Sequence, residues 1–216
     1  QFNIVGATAP LNVTVSYDGP FTTPTNAAAP VYSLVTNLAA PSGNSIVMNS
    51  PAQPVYTAEA NSTSWIGNLR DYVRQVNPFD ATADFDALSN INLAQTCNAF
   101  FNGSSVNFFS AGGGCVNTSY STVVAHEMGH WLNVLYGSGN GPDGFGEGNA
   151  DTWATFLTDQ PIVGENFYTT GGNIRTALNT RPFCGDQSPG CYGGVHANGE
   201  VLMGALWKVR ARLKTT

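Results

Sequence analysis

His126-Glu127-Met128-Gly129-His130 is an H-E-x-x-H pentapeptide inside a segment that reads as a helix. Residues four apart on a helix share a face, about 6 Å apart at Cβ. Two imidazoles so placed can grip one metal ion, and the glutamate between them turns toward a water on that ion. Metal-assisted hydrolysis needs this set: two neutral nitrogen ligands and a carboxylate base beside an activated water. Val124, Met128, Trp131 and Leu135 are the expected buried stripe, leaving His126 and His130 on a neighbouring face. The bland reading of the same residues is a pair of helix-surface histidines with no ligand role.

A catalytic zinc takes three protein ligands and keeps one position for water. The chain has three histidines in all, His126, His130 and His196. One class of zinc protease continues its motif with G-x-x-H, but here Asn133 and Tyr136 occupy those two positions, which excludes that class. The third ligand is then His196 or a carboxylate. Glu147 is the better candidate: it follows His130 at a distance that allows a loop and a return helix packed antiparallel to the first. Asp151 lies one turn further on the same face, where it can accept the other ring N–H of a ligating histidine. Against this, acids near a helix N-terminus are favoured there by the helix dipole alone.

The rest of the chain sets bounds. Its 216 residues suffice for one core, or for two small lobes sharing a cleft. A net charge of -6 with no Lys/Arg cluster speaks against nucleic acid as a partner. No apolar run is long enough to span a bilayer. Low charge with abundant Gly, Asn, Ser and Thr suggests a secreted protein, and a start at Gln1 suggests that a preceding segment has been removed. Four cysteines allow three pairings, of which the near-neighbour one, Cys97 with Cys115 and Cys184 with Cys191, is favoured. Sequons at Asn12, Asn61, Asn102 and Asn117 modestly favour a glycosylated, exported product.

Coarse periodicity predicts a strand-rich first half and a helical second half. Leu11, Val13, Val15 and Tyr17 alternate with polar residues, and 31–35 and 45–48 are further strand candidates. Trp65, Ile66, Leu69, Tyr72, Val73 and Val76 mark a helix with caps at Ser62 to Ser64 and a stop at Pro78. Asn102-Gly103 between apolar runs predicts a hairpin, and Ala111 to Gly114 a flexible loop. Gly137 to Gly148 reads as a surface loop. Helices are expected over 147–157 and from about 198 to 213, the last with Leu202, Leu206, Val209 and Leu213 as its core stripe.

Four further segments match in order: Asn98-Ala99-Phe100-Phe101-Asn102-Gly103, Gly146-Glu147-Gly148-Asn149-Ala150-Asp151, Asn173-Ile174-Arg175 and Gly193-Gly194-Val195-His196-Ala197-Asn198. With the pentapeptide they resemble the gluzincin metalloproteases, the thermolysin-like and fungalysin-like enzymes, across roughly residues 65 to 210. The resemblance implies an α+β, two-lobed zincin fold in one compact catalytic domain, a β-rich lobe over 1–125 and a mainly helical lobe over 126–216, with the metal helix at the join. It implies one catalytic zinc held by His126, His130 and Glu147, with Asp151 behind them and Glu127 as general base. His196 would stabilise the oxyanion, Asn98 and Ala99 would bind substrate backbone, and Arg175 would hold a substrate carbonyl. Val123 and Ile174 would line an apolar pocket for the residue after the cleaved bond. The expected partners are a protein or peptide substrate and a propeptide, with no nucleic acid or membrane and a monomeric chain.

The chain departs from that pattern at three positions. Gly141 stands where the family has its oxyanion tyrosine, Cys191 where it has an aspartate orienting the second active-site histidine, and Thr122 where it has a calcium-binding aspartate. The usual double calcium site is therefore expected to be missing, with disulfides in its stabilising role. The alternative from another class is a catalytically inactive zincin-fold domain for binding or adhesion. An aminopeptidase is disfavoured, since no acidic motif for a free amine accompanies the site.

Overall fold

Ten of the fifteen residues of helix α2 (Ser121–Leu135) are buried, so it is an interior helix rather than a surface helix with one apolar stripe. The computed structural model, which describes residues 8–40, 42–185 and 191–215, arranges the chain around it. Before α2 come β1 (Leu11–Ser16), β2 (Thr22–Asn26), β3 (Ser33–Leu38), α1 (Pro54–Val76), β4 (Ala87–Leu93), β5 (Ala99–Phe101) and β6 (Val106–Phe109). After it come α3 (Phe145–Thr158), β7 (Ile162–Val163), β8 (Arg175–Thr176) and α4 (Val195–Leu213). The architecture is α+β with a strand-rich first half, as the periodicity predicts.

The main sheet has the order β2-β4-β6-β5. The β2/β4 and β4/β6 pairs are parallel, whereas β5 runs antiparallel to β6 and forms one edge. The opposite edge strand, β2, carries Pro24, which an edge tolerates and a central strand does not. The predicted hairpin joins β5 to β6. Its Asn102 side-chain oxygen accepts from the backbone N–H groups of Ser104 and Ser105 and so shapes the turn. One apolar core, with Ile66, Leu69, Ile91, Phe108, Val124 and Leu132 among its members, joins α1, the sheet and α2.

Several local expectations change. Helix α1 begins at Pro54, whose missing N–H is no loss in the first turn. Its buried stripe extends back through Ala58 and Ser62, so Ser62 is an interior residue bonded to Ser89 (2.6 Å between hydroxyl oxygens) and not a cap. Among the described residues, 45–48 have no partner strand and form no ladder, and β1 pairs with β3 alone. In α2 the stripe is Val124, Met128 and Leu132, and Leu135 in the last turn is exposed. In α4 the covered residues are Gly199, Met203 and Gly204, whereas Val209 and Leu213 are exposed. Gly112 and Cys115 exchange backbone hydrogen bonds, which makes 111–115 a pinned turn instead of a loose loop. Both near-neighbour disulfides, Cys97–Cys115 and Cys184–Cys191, are formed.

Small residues set the helix crossings. A Cβ on Gly129 would stand 2.8 Å from Ala150 Cα, so α2 and α3 touch nearly backbone to backbone. Contacts of His130 with Glu147 and of His126 with Asp151 show the two helices to be antiparallel. A Cβ on Gly148 would stand 2.4 Å from Gly199 O, which fixes α4 against the start of α3. This close crossing brings the N-terminal turns of α3 and α4 together over the middle of α2.

Candidate metal centre and cleft

The imidazoles of His126 and His130 converge, their Nε2 atoms 3.1 Å apart. Glu147, from the first turn of α3, points Oε2 at both, 3.3 Å from His126 Nε2 and 3.6 Å from His130 Nε2. That oxygen is buried and accepts no hydrogen bond of proper geometry. A cation at this point would satisfy all three groups at once, which is the fit expected of a metal site. Glu127 also brings a carboxylate oxygen within 4.8 Å of the imidazole nitrogens. Two acids thus flank the histidine pair, and only Glu147 has the orphaned oxygen aimed into it.

Behind His126, Asp151 is completely buried and accepts from Nδ1 at 2.8 Å. Arg175 meets the same carboxylate through two donors, Nε at 2.7 Å and Nη2 at 2.8 Å. Burial alone would hold His126 neutral, but the Asp151 and Glu147 carboxylates outweigh it and push its pKa up to about 10. The same field that favours a proton there favours a divalent cation. Burial also opposes ionisation of Glu147 and Asp151, and is overcome by His126 and His130 in the first case and chiefly by Arg175 in the second, so both stay below the usual carboxylate range. Glu127 lies on the other side of that balance: burial raises its pKa more than the two histidines lower it.

These groups form one wall of a cleft of about 450 Å³. Asn98, Ala99 and Phe100, at the open edge of the main sheet, form another wall. Val123, Val163, Phe167 and Ile174 make an apolar end, and Arg175 and His196 complete the lining. Every residue singled out from the sequence for the metal, the chemistry or the substrate reaches this cleft, except Asp151, which stands behind it. His196 is 61% exposed, and its Nε2 lies 3.3 Å from Glu147 Oε1. Glu147 is thus the acid beside it, where Cys191 offers none. Burial lowers the His196 pKa.

Three contributions are invisible in the sequence. Asn140 Oδ1 lies 2.9 Å from His130 Nδ1, although its Gly/Asn loop carries no motif. Phe167 and Tyr168 also line the cleft, and Tyr168 is tied to the segment before β5 through Cys115, which bridges to Tyr168 and is disulfide-bonded to Cys97. Tyr136, the tyrosine nearest in sequence to Gly141, turns away: its hydroxyl donates to Asp80 at 2.8 Å and its ring stacks on Trp153.

No protein-family model matches the chain, and no curated protein matches it in sequence. Among solved structures, it is similar to the precursor of protealysin, a metalloproteinase from Serratia proteamaculans, with a TM-score of 0.60 and 15% sequence identity, over 98% of this chain and 72% of that one. The chain therefore shares the fold of a metalloproteinase precursor, and at this sequence distance the likeness shows the fold alone.

Proposed function

We propose that the chain is a secreted, zinc-dependent endopeptidase whose metal ligands are His126, His130 and Glu147. The observation that carries this reading is the buried, unpartnered Glu147 Oε2 facing two converging imidazoles, on the floor of a cleft that ends in an open strand edge. Two imidazole nitrogens and one carboxylate oxygen are a donor set suited to catalytic zinc with a fourth position left open. Bound there, zinc would supply a Lewis acid and lower the pKa of water enough for it to lose a proton near neutral pH.

The chain's own residues do the rest. Glu127 takes the proton of the attacking water and hands it to the leaving amine; the burial that raises its proton affinity suits a group that must do both. His196 donates to the oxyanion formed from the scissile carbonyl. Asn98 and Ala99 hold an extended peptide by strand addition, which the free edge of β5 permits. Arg175 gives two of its five donors to Asp151 and has others for a substrate carbonyl. Val123 and Ile174, at the apolar end, favour a hydrophobic residue after the cleaved bond. Two disulfides support export, since such bonds persist in oxidising compartments. The fold shared with a metalloproteinase precursor supports a peptide substrate and is compatible with a propeptide.

The test is zinc content and peptide cleavage of the purified chain beside Glu127→Ala. That variant should keep its zinc and lose cleavage by about 100-fold or more. Cleavage at the wild-type rate would remove Glu127 from the chemistry, and a chain that takes up no zinc would remove the metal centre.

A further inference from the structure

The loop between α2 and α3 reaches back to His130 through the side chain of Asn140, and the hydrogen bonds there place a hydrogen on one particular ring nitrogen. Asn140 Nδ2 lies 3.0 Å from the backbone oxygen of His130. A carbonyl only accepts, so the amide NH2 must be on that side. Oδ1 is then the atom 2.9 Å from His130 Nδ1. An amide oxygen also only accepts, so Nδ1 carries a hydrogen, and in the neutral ring Nε2 then keeps its lone pair. That lone pair points to the convergence of His126 Nε2 and Glu147 Oε2.

Asn140 is itself held. The fully buried Asn133 donates Nδ2 to the backbone oxygen of Gly146 at 3.0 Å and to Asn140 Oδ1 at 2.9 Å. Its own Oδ1 receives Nδ2 of Asn149 at 2.6 Å. Two backbone carbonyls, those of His130 and Gly146, therefore order two amides, and the tautomer of the imidazole follows from them.

We propose that Asn140 is a positioning residue that locks His130 in its Nδ1–H tautomer, with Asn133 holding Asn140 in place. It does for His130 what Asp151 does for His126, with a neutral acceptor in place of a charged one. The consequence for the metal rests on the ligand assignment above; the geometry does not.

The experiment compares wild type, Asn140→Ala and Asn140→Asp by zinc competition against a chelator and by long-range 1H–15N NMR of the imidazoles, with a thermal melt as the folding check. Asn140→Ala should weaken zinc about 10- to 100-fold, with His130 no longer confined to the Nδ1–H form. Asn140→Asp restores an acceptor and should recover both. If Asn140→Ala binds zinc as wild type does and His130 remains Nδ1–H, the proposal is overturned. It is equally overturned if Asn140→Asp behaves as Asn140→Ala does while both fold. Should the wild-type chain take up no zinc, the proposed function falls, and the His130 tautomer in metal-free wild type against Asn140→Ala still decides the role of Asn140.

Discussion

Asp151 is fully buried and stays below the usual carboxylate range because Arg175 and His126 face it from two sides. The three groups form one unit: the carboxylate orients an imidazole with one oxygen and grips a guanidinium with both. Asp151→Asn keeps the shape and removes the charge, which leaves the Arg175 cation buried without its counterion. Breaking such a pair costs about 3–5 kcal/mol, and loss of a histidine's orienting partner weakens metal binding about 10- to 100-fold. Urea melts and zinc competition on Asp151→Asn should show both losses. A variant as stable as wild type would mean that water, not Asp151, solvates Arg175. His126 is thus held by a carboxylate whose i+4 spacing from Glu147 is visible in the sequence, whereas His130 is held by an asparagine that nothing in the sequence marks.

Among the elements, the crossing of α3 over α4 sets where Glu147 stands. Gly148 is next to it in sequence, and a Cβ there would meet the Gly199 carbonyl at 2.4 Å and Leu202 Cβ at 2.9 Å. Backbone cannot step aside as a flexible side chain can, so Gly148→Ala should cost about 1–3 kcal/mol through overpacking. Since the strain is relieved by moving α3 from α4, the same variant should also bind zinc more weakly. Gly67 in α1 is the control: nothing lies within 4 Å of its would-be Cβ, and alanine there should stabilise the helix by about 0.5–1 kcal/mol. Thermal melts of the two variants should move in opposite directions. If Gly148→Ala is neutral in both stability and zinc binding, the close crossing is not what positions Glu147.

For the whole molecule, the cleft lies between walls far apart in sequence. The Cys97–Cys115 disulfide joins two of them, because Cys97 directly precedes the Asn98-Ala99 edge and Cys115 pairs with Tyr168, which also lines the cleft. The paired double variant Cys97→Ser, Cys115→Ser should lose about 2–4 kcal/mol of stability. It should also raise KM for a peptide more than it lowers kcat, since the residues of the proposed metal centre are on α2 and α3. A denaturant melt with steady-state kinetics checks both parts. An unchanged KM would make this bond a stabiliser of the fold alone.

Short-range patterns in the sequence determine a good deal. The one-turn spacing of His126 and His130, and of Glu147 and Asp151, follows from helix geometry wherever those helices go. The β5–β6 hairpin follows from its turn residues, and proximity along the chain favours the near-neighbour disulfide pairing, which the fold then adopts out of the three that four cysteines allow. Tertiary structure alone decides what depends on contacts between distant segments. It places β4 between β2 and β6, begins α1 at Pro54 because Ala58 and Ser62 find a core to face, and leaves 45–48 without a partner strand among the described residues. It also turns Tyr136 out of the cleft and brings Asn140 and Tyr168 into contact with the site or its walls. A motif encodes which groups share a helix face; only packing, here glycine on backbone at two helix crossings, decides which faces meet.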